Sequence, residues 1–169
     1  MKLLTTADLF YDQLADLYSV EKQLTHALPR LAIMASHPEL REVLLRHSLE
    51  TESQRETLRR LFHHGHRHPV HDPSKAMQGL LEGGEAHLSA VKSSALRDLL
   101  MVAHCLRIEH YEVAAYDFIT MLTRGLGLEA EMEVLSTLLA EEQAVLERLE
   151  DLQTEILVIA KSLDPIVRA

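Results

Sequence analysis

The sequence of 169 residues has few of the residues that build turns and cross-links. It contains six glycines, five prolines, one cysteine and no tryptophan. The single cysteine, Cys105, excludes a disulfide within the chain and fits a reducing compartment. Scarce glycine and proline, with abundant Leu, Glu and Ala, favour long helices over strands. Because 47% of the residues are hydrophobic, we expect one domain with a packed core.

The sequence also lacks a positive charge balance and a long apolar run. Its formal net charge of −9 argues against a nucleic-acid partner, because phosphates are bound by basic patches. No apolar segment approaches the roughly 20 residues that span a bilayer. The start, MKLLTTADLF, has no apolar core of a signal peptide. We therefore expect a cytoplasmic protein with no membrane association.

Apolar residues recur at steps of three and four, which predicts four long helices and one short one. The predicted helices run from Thr5 or Thr6 to about Ser36, from Pro38 to His64, over 74–90, from Ser93 or Ser94 to Arg124, and from Leu128 to Leu163. Pro29 should bend the first helix without ending it. Gly125 and Gly127 suit the turn between the last two helices, and Pro165 marks the end of the last. The four long helices form two hairpins, with the short helix in a crossover of about 64–93.

One glutamate lies in the middle of the apolar stripe of each long helix. These residues are Glu21, Glu50, Glu109 and Glu142. A charged carboxylate is almost never fully buried without a partner, because its desolvation costs several kcal/mol or forces protonation. A single such glutamate is most often a solvent-facing residue. Four of them, one on each long helix, indicate a shared cation site in a bundle core.

The register of the two hairpins places these glutamates at similar heights. In the first hairpin, Glu21 stands 15 residues before Ser36 and Glu50 stands 14 after it. In the second, the other two stand 17 before and 16 after Leu126, each about 25 Å along its helix at a rise of 1.5 Å per residue. The matched distances predict that the glutamates of each hairpin face one another.

Three neighbours extend the candidate site. Glu112 shares the face of Glu109, although Val113 could hold that core position instead. His47, three residues before Glu50, is either a ligand or a hydrogen-bonded core histidine. Gln54 is better placed to support ligands than to bind a metal.

Tyrosines and further histidines lie near these positions. Tyr18 and Tyr116 could hydrogen-bond the ligands or supply electrons, although packing roles are the simpler interpretation. His104 and His110 are rotated off the stripe and are expected to face solvent or a dimer partner. The five histidines within 63–71 could bind a metal weakly, although a solvated loop is the simpler reading. Cys105 is expected to be a buried small residue rather than a nucleophile.

The sequence carries a resemblance to a known family. The segments LADLYSVEKQLTHALPRLA, HSLETESQ, AMQGLLEGGE, IEHYEVAAY and LAEEQAVLERL, in this order and spacing, resemble the YciE/YciF family of ferritin-like stress proteins. The resemblance covers nearly the whole chain. It implies an all-α, ferritin-like antiparallel four-helix bundle as a single domain over 1–169, an iron or related dinuclear site, and a homodimer.

The chain departs from the generic ferritin-like ligand pattern at two positions. That pattern has a Glu on the first and third helices and Glu-x-x-His on the second and fourth, but Ser53 and Val145 stand where the histidines belong. Glu112 and His47 could fill the two vacancies. The resulting oxygen-rich set implies two metal ions, iron first, with manganese or zinc as alternatives.

Two functions follow as hypotheses. The first is a di-metal oxidoreductase or ferroxidase that acts on oxygen or peroxide during stress. The alternative is a non-catalytic, dimeric helical protein whose metal site is structural and whose role is interaction. Iron storage is less favoured, because nothing in the sequence indicates the surfaces of a hollow shell.

Overall fold

The computed structural model describes residues 3–65, 67–69 and 72–162, and the regular structure in these ranges is entirely helical. The helices are α1 (Thr6–Met34), α2 (Pro38–His64), α3 (Lys75–Ala90), α4 (Ser94–Leu126) and α5 (Glu129–Ser162). The predicted all-α class, with a short helix between two pairs of long ones, is confirmed. The predicted helix end at Leu163, with Pro165 behind it, lies outside the described residues.

Local sequence signals set the helix ends. The Thr5 hydroxyl accepts the Asp8 N–H at 3.0 Å and the Asp8 carboxylate accepts the Thr5 N–H at 3.1 Å, a reciprocal cap for α1. Pro29 lies inside α1 without ending it. Gly127 adopts a φ of 68°, the left-handed conformation that glycine reaches without a Cβ penalty. Gly125 is still helical, so α4 ends two residues later than the sequence indicated.

The connection between the hairpins makes α4 run parallel to α2. Asp98, near the start of α4, accepts the backbone N–H groups of Ser36 at 2.9 Å and His37 at 2.8 Å, in the turn between α1 and α2. Glu155, near the end of α5, lies 3.4 Å from His37. The beginning of α4 and the end of α5 therefore meet the first turn at one end of the bundle. This is the order of a ferritin-like bundle with one long crossover.

A layer of buried polar residues divides the apolar core in two. The cluster nearer the α1–α2 turn contains Val20, Leu24, Leu44, Met101, Val102, Ile108 and Leu149, among others. The cluster at the other end contains Phe10, Leu14, Leu17, Leu58, Ile119 and Leu135, among others. On every long helix the chain passes from one cluster to the other through the predicted site. The polar layer therefore lies across the middle of the bundle.

The short helix α3 covers one face of α4 near His104. That side chain is 9% exposed, and its Nε2 lies 3.2 Å from Nδ1 of His87 on α3. A Cβ atom at Gly84 would lie 3.3 Å from the His104 ring, so glycine allows the two helices to approach closely. The prediction that His104 faces solvent or a partner is wrong, because α3 packs on that face. His110 is exposed.

Three of the five histidines within 63–71 belong to the described residues. His63, His64 and His68 are exposed, whereas His66 and His71 lie outside the described residues. Within the described ranges, no helix combines the length and apolar character needed to cross a bilayer.

Candidate metal centre

The centre of the polar layer brings together one histidine and three glutamates. His47 comes from α2, Glu109 and Glu112 from α4, and Glu142 from α5, and each side chain is at most 1% exposed. One potential ligand atom from each residue lies within 4.8 Å of every other. His47 Nε2 is 3.6 Å from Glu109 Oε1. The four side chains therefore converge on a volume of the size that one metal ion requires.

The fourth long helix, α1, contributes Glu21 at the edge of this cluster. Glu21 is fully buried, and its Oε1 accepts a short hydrogen bond from the hydroxyl of Tyr116, which is also fully buried. Its other oxygen, Oε2, has no hydrogen-bond partner. Tyr116 thus orients Glu21 and leaves one oxygen free to bind. Tyr18, one turn before Glu21 on α1, is half-buried.

On α2, the helix face that points into the core carries His47 rather than Glu50. His47, Thr51 and Gln54 are each at most 1% exposed and follow one another at steps of four and three. Glu50 is only partly buried, so it lies at the edge of the layer and not in mid-stripe as the sequence indicated. Ser53 is exposed, which means that a histidine at this position would not face the core.

Burial and mutual repulsion favour the protonated form of the carboxyl groups in the absence of a cation. Burial raises the pKa of Glu21, Glu109 and Glu112 well above the ordinary value, and the nearby charge of Glu142 raises each further. Burial also raises the pKa of Glu142 to about 7. In the part of the chain that the structure describes, no lysine or arginine forms an ion pair with any of these groups.

His47 has the opposite shift. Burial lowers the pKa of His47 to about 4, so the ring is neutral at pH 7. A neutral imidazole is the form that binds a metal ion. Neither ring nitrogen has a hydrogen-bond partner among the described residues.

Unpaired polar atoms test whether a metal fits this centre. Buried polar atoms nearly always have hydrogen-bond partners in native proteins. Here the atoms without one include Glu21 Oε2, Glu109 Oε2, both nitrogens of His47, and both carboxyl oxygens of Glu112 and Glu142. Oxygen donors with one imidazole suit Fe(II), Fe(III) or Mn(II). The donor set therefore fits a metal ion, and metal ligation would account for the missing partners.

The structure also decides several of the alternatives left open by the sequence. Glu112 is fully buried, whereas Val113 is half-buried, so the carboxylate holds the core position. Glu109 and Glu142 lie close together, with carboxyl oxygens within 4.8 Å of each other, as the register of the second hairpin predicts. Glu21 and Glu50, paired by the register of the first hairpin, differ in burial, since Glu21 is fully buried and Glu50 only partly.

Sequence reasoning missed one polar residue of the layer. Thr51 is fully buried, and its hydroxyl has no hydrogen-bond partner. Its position four residues after His47, on the same helix face, was a signal that could have identified it.

The fold and the site define a helical-bundle protein with a carboxylate-rich polar layer in its core. The chain belongs to the family described as a domain of unknown function, DUF892, whose model matches residues 5–160. A curated relative, Protein YciF of Escherichia coli strain K12, is 32% identical over 153 residues, covering 90% of this chain and 92% of YciF.

Two solved structures share the fold at similar identity. The crystal structure of the E. coli stress protein YciF matches with a TM-score of 0.88 and 31% identity, over 92% of this chain and 98% of that one. YcfI from Rhodopseudomonas palustris, whose description proposes a structural role, matches with a TM-score of 0.85 and 30% identity. That match covers 88% of this chain and 95% of YcfI. The resemblance to the YciE/YciF family that the sequence indicated is confirmed.

Proposed function

We propose that this chain is a ferritin-like stress protein that binds two metal ions, iron first, in the polar layer of its bundle. The observation that supports the proposal is the set of fully buried carboxyl and imidazole groups without hydrogen-bond partners. His47, Glu109, Glu112 and Glu142 would hold one ion. Glu21, through its free oxygen, and Glu50, at the edge of the layer, would complete the ligands of a second.

The chemistry of the proposed site follows from how its residues handle charge. Bound iron would supply the electrons for the reduction of oxygen or peroxide. The protein's own groups release protons as the carboxyls become ligands, and the neutral His47 binds without losing one. The Tyr116 hydroxyl holds one oxygen of Glu21 in place. We therefore propose an oxidoreductase or ferroxidase activity toward oxygen or peroxide.

A second candidate is a non-catalytic protein whose metal, or whose trapped protons, stabilise a structural core. Two observations favour it: the structural role proposed for YcfI, and the burial that keeps the acids protonated without metal. In both cases we expect a cytoplasmic homodimer. Sedimentation of the purified protein would test whether it is a dimer.

Metal binding is tested by anaerobic titration with Fe(II), with the bound metal counted after gel filtration. We expect two ions per chain in the wild type. Glu109→Gln should abolish binding, whereas Glu50→Gln should leave one ion, because Glu50 lies outside the central four. Glu147→Gln, an exposed change on α5, is the matched control. Failure of the wild type to bind metal would refute the proposal.

Turnover separates the two candidates. Protein loaded with Fe(II), then supplied with a reductant and oxygen or peroxide, should consume the oxidant over many cycles if it is an oxidoreductase. Stable binding with no more than one oxidation per ion would favour the structural candidate.

A further inference from the structure

Two carboxylates at the solvent-facing edge are electrostatically coupled to the buried centre. Glu141 is exposed and Glu50 is partly exposed, whereas the glutamates of the centre are at most 1% exposed. Burial is the main cause of the raised pKa values of the buried glutamates, and the charge of Glu141 raises the pKa of Glu21 and Glu142 further. The charge of Glu50 likewise raises the pKa of Glu109 and Glu142. Both outer groups therefore lie near the buried acids and in contact with water.

A buried glutamine connects the outer carboxylate to the centre. Gln54 is 1% exposed, and its Nε2 donates a hydrogen bond to Glu141 Oε2 at 3.0 Å. Its Oε1 is buried and has no hydrogen-bond partner. The Gln54 amide also lowers the pKa of Glu142, against the larger effect of burial, so it lies beside that carboxyl as well. One side chain thus touches an exposed carboxylate at one end and presents an unused oxygen at the other.

These groups lie where α2 and α5 face each other. Gln54 and Glu50 belong to α2 and Glu141 belongs to α5, and these two helices pack together less closely than either does with its own hairpin partner. On the other side of the centre, the Tyr116 hydroxyl bonded to Glu21 joins α4 to α1 and is fully buried. The centre is therefore closed toward α1 and α4 by a buried tyrosine, and toward α2 and α5 by Gln54, whose hydrogen-bond partner Glu141 is exposed.

We propose that Glu141 and Gln54 form a capture point for divalent cations, through which ions pass between α2 and α5 to the buried centre, with Glu50 on the same route. The proposal rests on the metal binding proposed above. A cation competes with the Gln54 N–H for the Glu141 carboxylate, so its arrival breaks that hydrogen bond. The freed amide can then turn its oxygen, a hard neutral ligand, toward the ion. Further inside, the ion meets the unpartnered oxygens of the buried glutamates.

The test measures the rate of metal uptake separately from the amount bound. Co(II) is mixed with metal-free protein in a stopped-flow instrument at pH 7.5, and its ligand-field absorption is followed. Bound Co(II) is then counted after equilibrium dialysis. Because a charge at the mouth of a site raises the association rate of an opposite charge, Glu141→Gln should load about three- to tenfold more slowly with unchanged final stoichiometry. The difference should shrink at high salt, where exposed charges are screened.

Matched variants make the test specific. Glu147→Gln removes the same charge from an exposed position on α5 and should load at the wild-type rate. Gln54→Leu, which removes the connecting amide, should also load slowly, and thermal melting of each metal-free variant checks its folding. Wild-type loading rates in Glu141→Gln would overturn the route, and a lower final stoichiometry would make Glu141 a ligand instead. A wild type that binds no Co(II) would refute metal binding itself, a result distinct from the first two.

Discussion

Replacement of Glu142 by glutamine should remove a pH-dependent instability of the metal-free protein. The pKa of Glu142 is raised by burial to about 7, against an ordinary value of 4.5. The folded state therefore holds this proton more tightly than the unfolded chain. Its stabilising contribution is complete below pH 4.5 and is lost as the pH rises through 7. At 1.36 kcal/mol per pKa unit, the loss is about 3 kcal/mol.

Calorimetric melting of the metal-free protein at pH 4 and pH 7.5 measures this loss. For a chain of this length, 3 kcal/mol corresponds to a decrease in Tm of about 6–12 °C. Glutamine has nearly the same shape as glutamate and does not ionise. Between the two pH values, the Tm of Glu142→Gln should therefore decrease by about 6–12 °C less than that of the wild type. The depressed pKa of His47 makes a contribution of opposite sign, but it is present in both proteins and cancels in the comparison.

Removal of Glu142 also relieves the repulsion that raises the pKa of Glu21, Glu109 and Glu112, so the true difference should be at least this large. Glu147→Gln serves as the control for loss of an acidic group and should follow the wild-type profile. Equal pH dependence in the wild type and Glu142→Gln would refute the assignment of a strained, proton-holding carboxyl at this position.

Two further pairs of variants test the packing of the site and of α3. Tyr116→Phe leaves a buried oxygen of Glu21 without its donor and should lower the free energy of unfolding by about 1–3 kcal/mol. Tyr111→Phe should lower the free energy of unfolding by less, because its acceptor, Asp16, is only half-buried and water can replace the hydroxyl. Urea titration of both variants measures this difference. Gly83→Ala, with open space around its Cβ, should stabilise α3 by about 0.5–1 kcal/mol. Gly84→Ala should not stabilise α3, because its methyl group would press on the His104 ring. Equal stabilisation by the two substitutions would contradict the close contact between Gly84 and His104.

The fold could be predicted from the sequence because its signals are local and agree with one another. Helix lengths follow from the apolar period, and the capping residue Thr5 and the turn residue Gly127 mark ends to within about two residues. The short helix was visible as a segment between a proline-containing stretch and the capping serines Ser93 and Ser94. The face that α3 covers was not visible, because packing of one helix on another depends on distant residues such as Gly84 and His104.

The candidate site was predictable in its elements but not in its arrangement. Burial of Glu21, Glu109 and Glu142 follows from their stripes, since each has apolar neighbours one turn away on both sides. On α2, His47 and Glu50 are separated by about 60° around the helix, and the sequence alone could not decide which one points inward. The same holds for Glu112 and its neighbour Val113. Such choices depend on the rotation of each helix about its axis, which is fixed by contacts with the other helices.

The balance of charge explains why four long helices can carry acids in their shared core. Four carboxyl groups are fully buried or nearly so: Glu21, Glu109, Glu112 and Glu142. Two divalent ions would cancel four negative charges, whereas one ion would leave two charges that bound protons must neutralise. The partly exposed Glu50 can remain charged at the edge, and the neutral His47 adds a ligand without adding charge. Apart from Glu50, the layer is therefore electrically neutral either when its acids are protonated or when it holds two divalent ions, and metal binding should release protons.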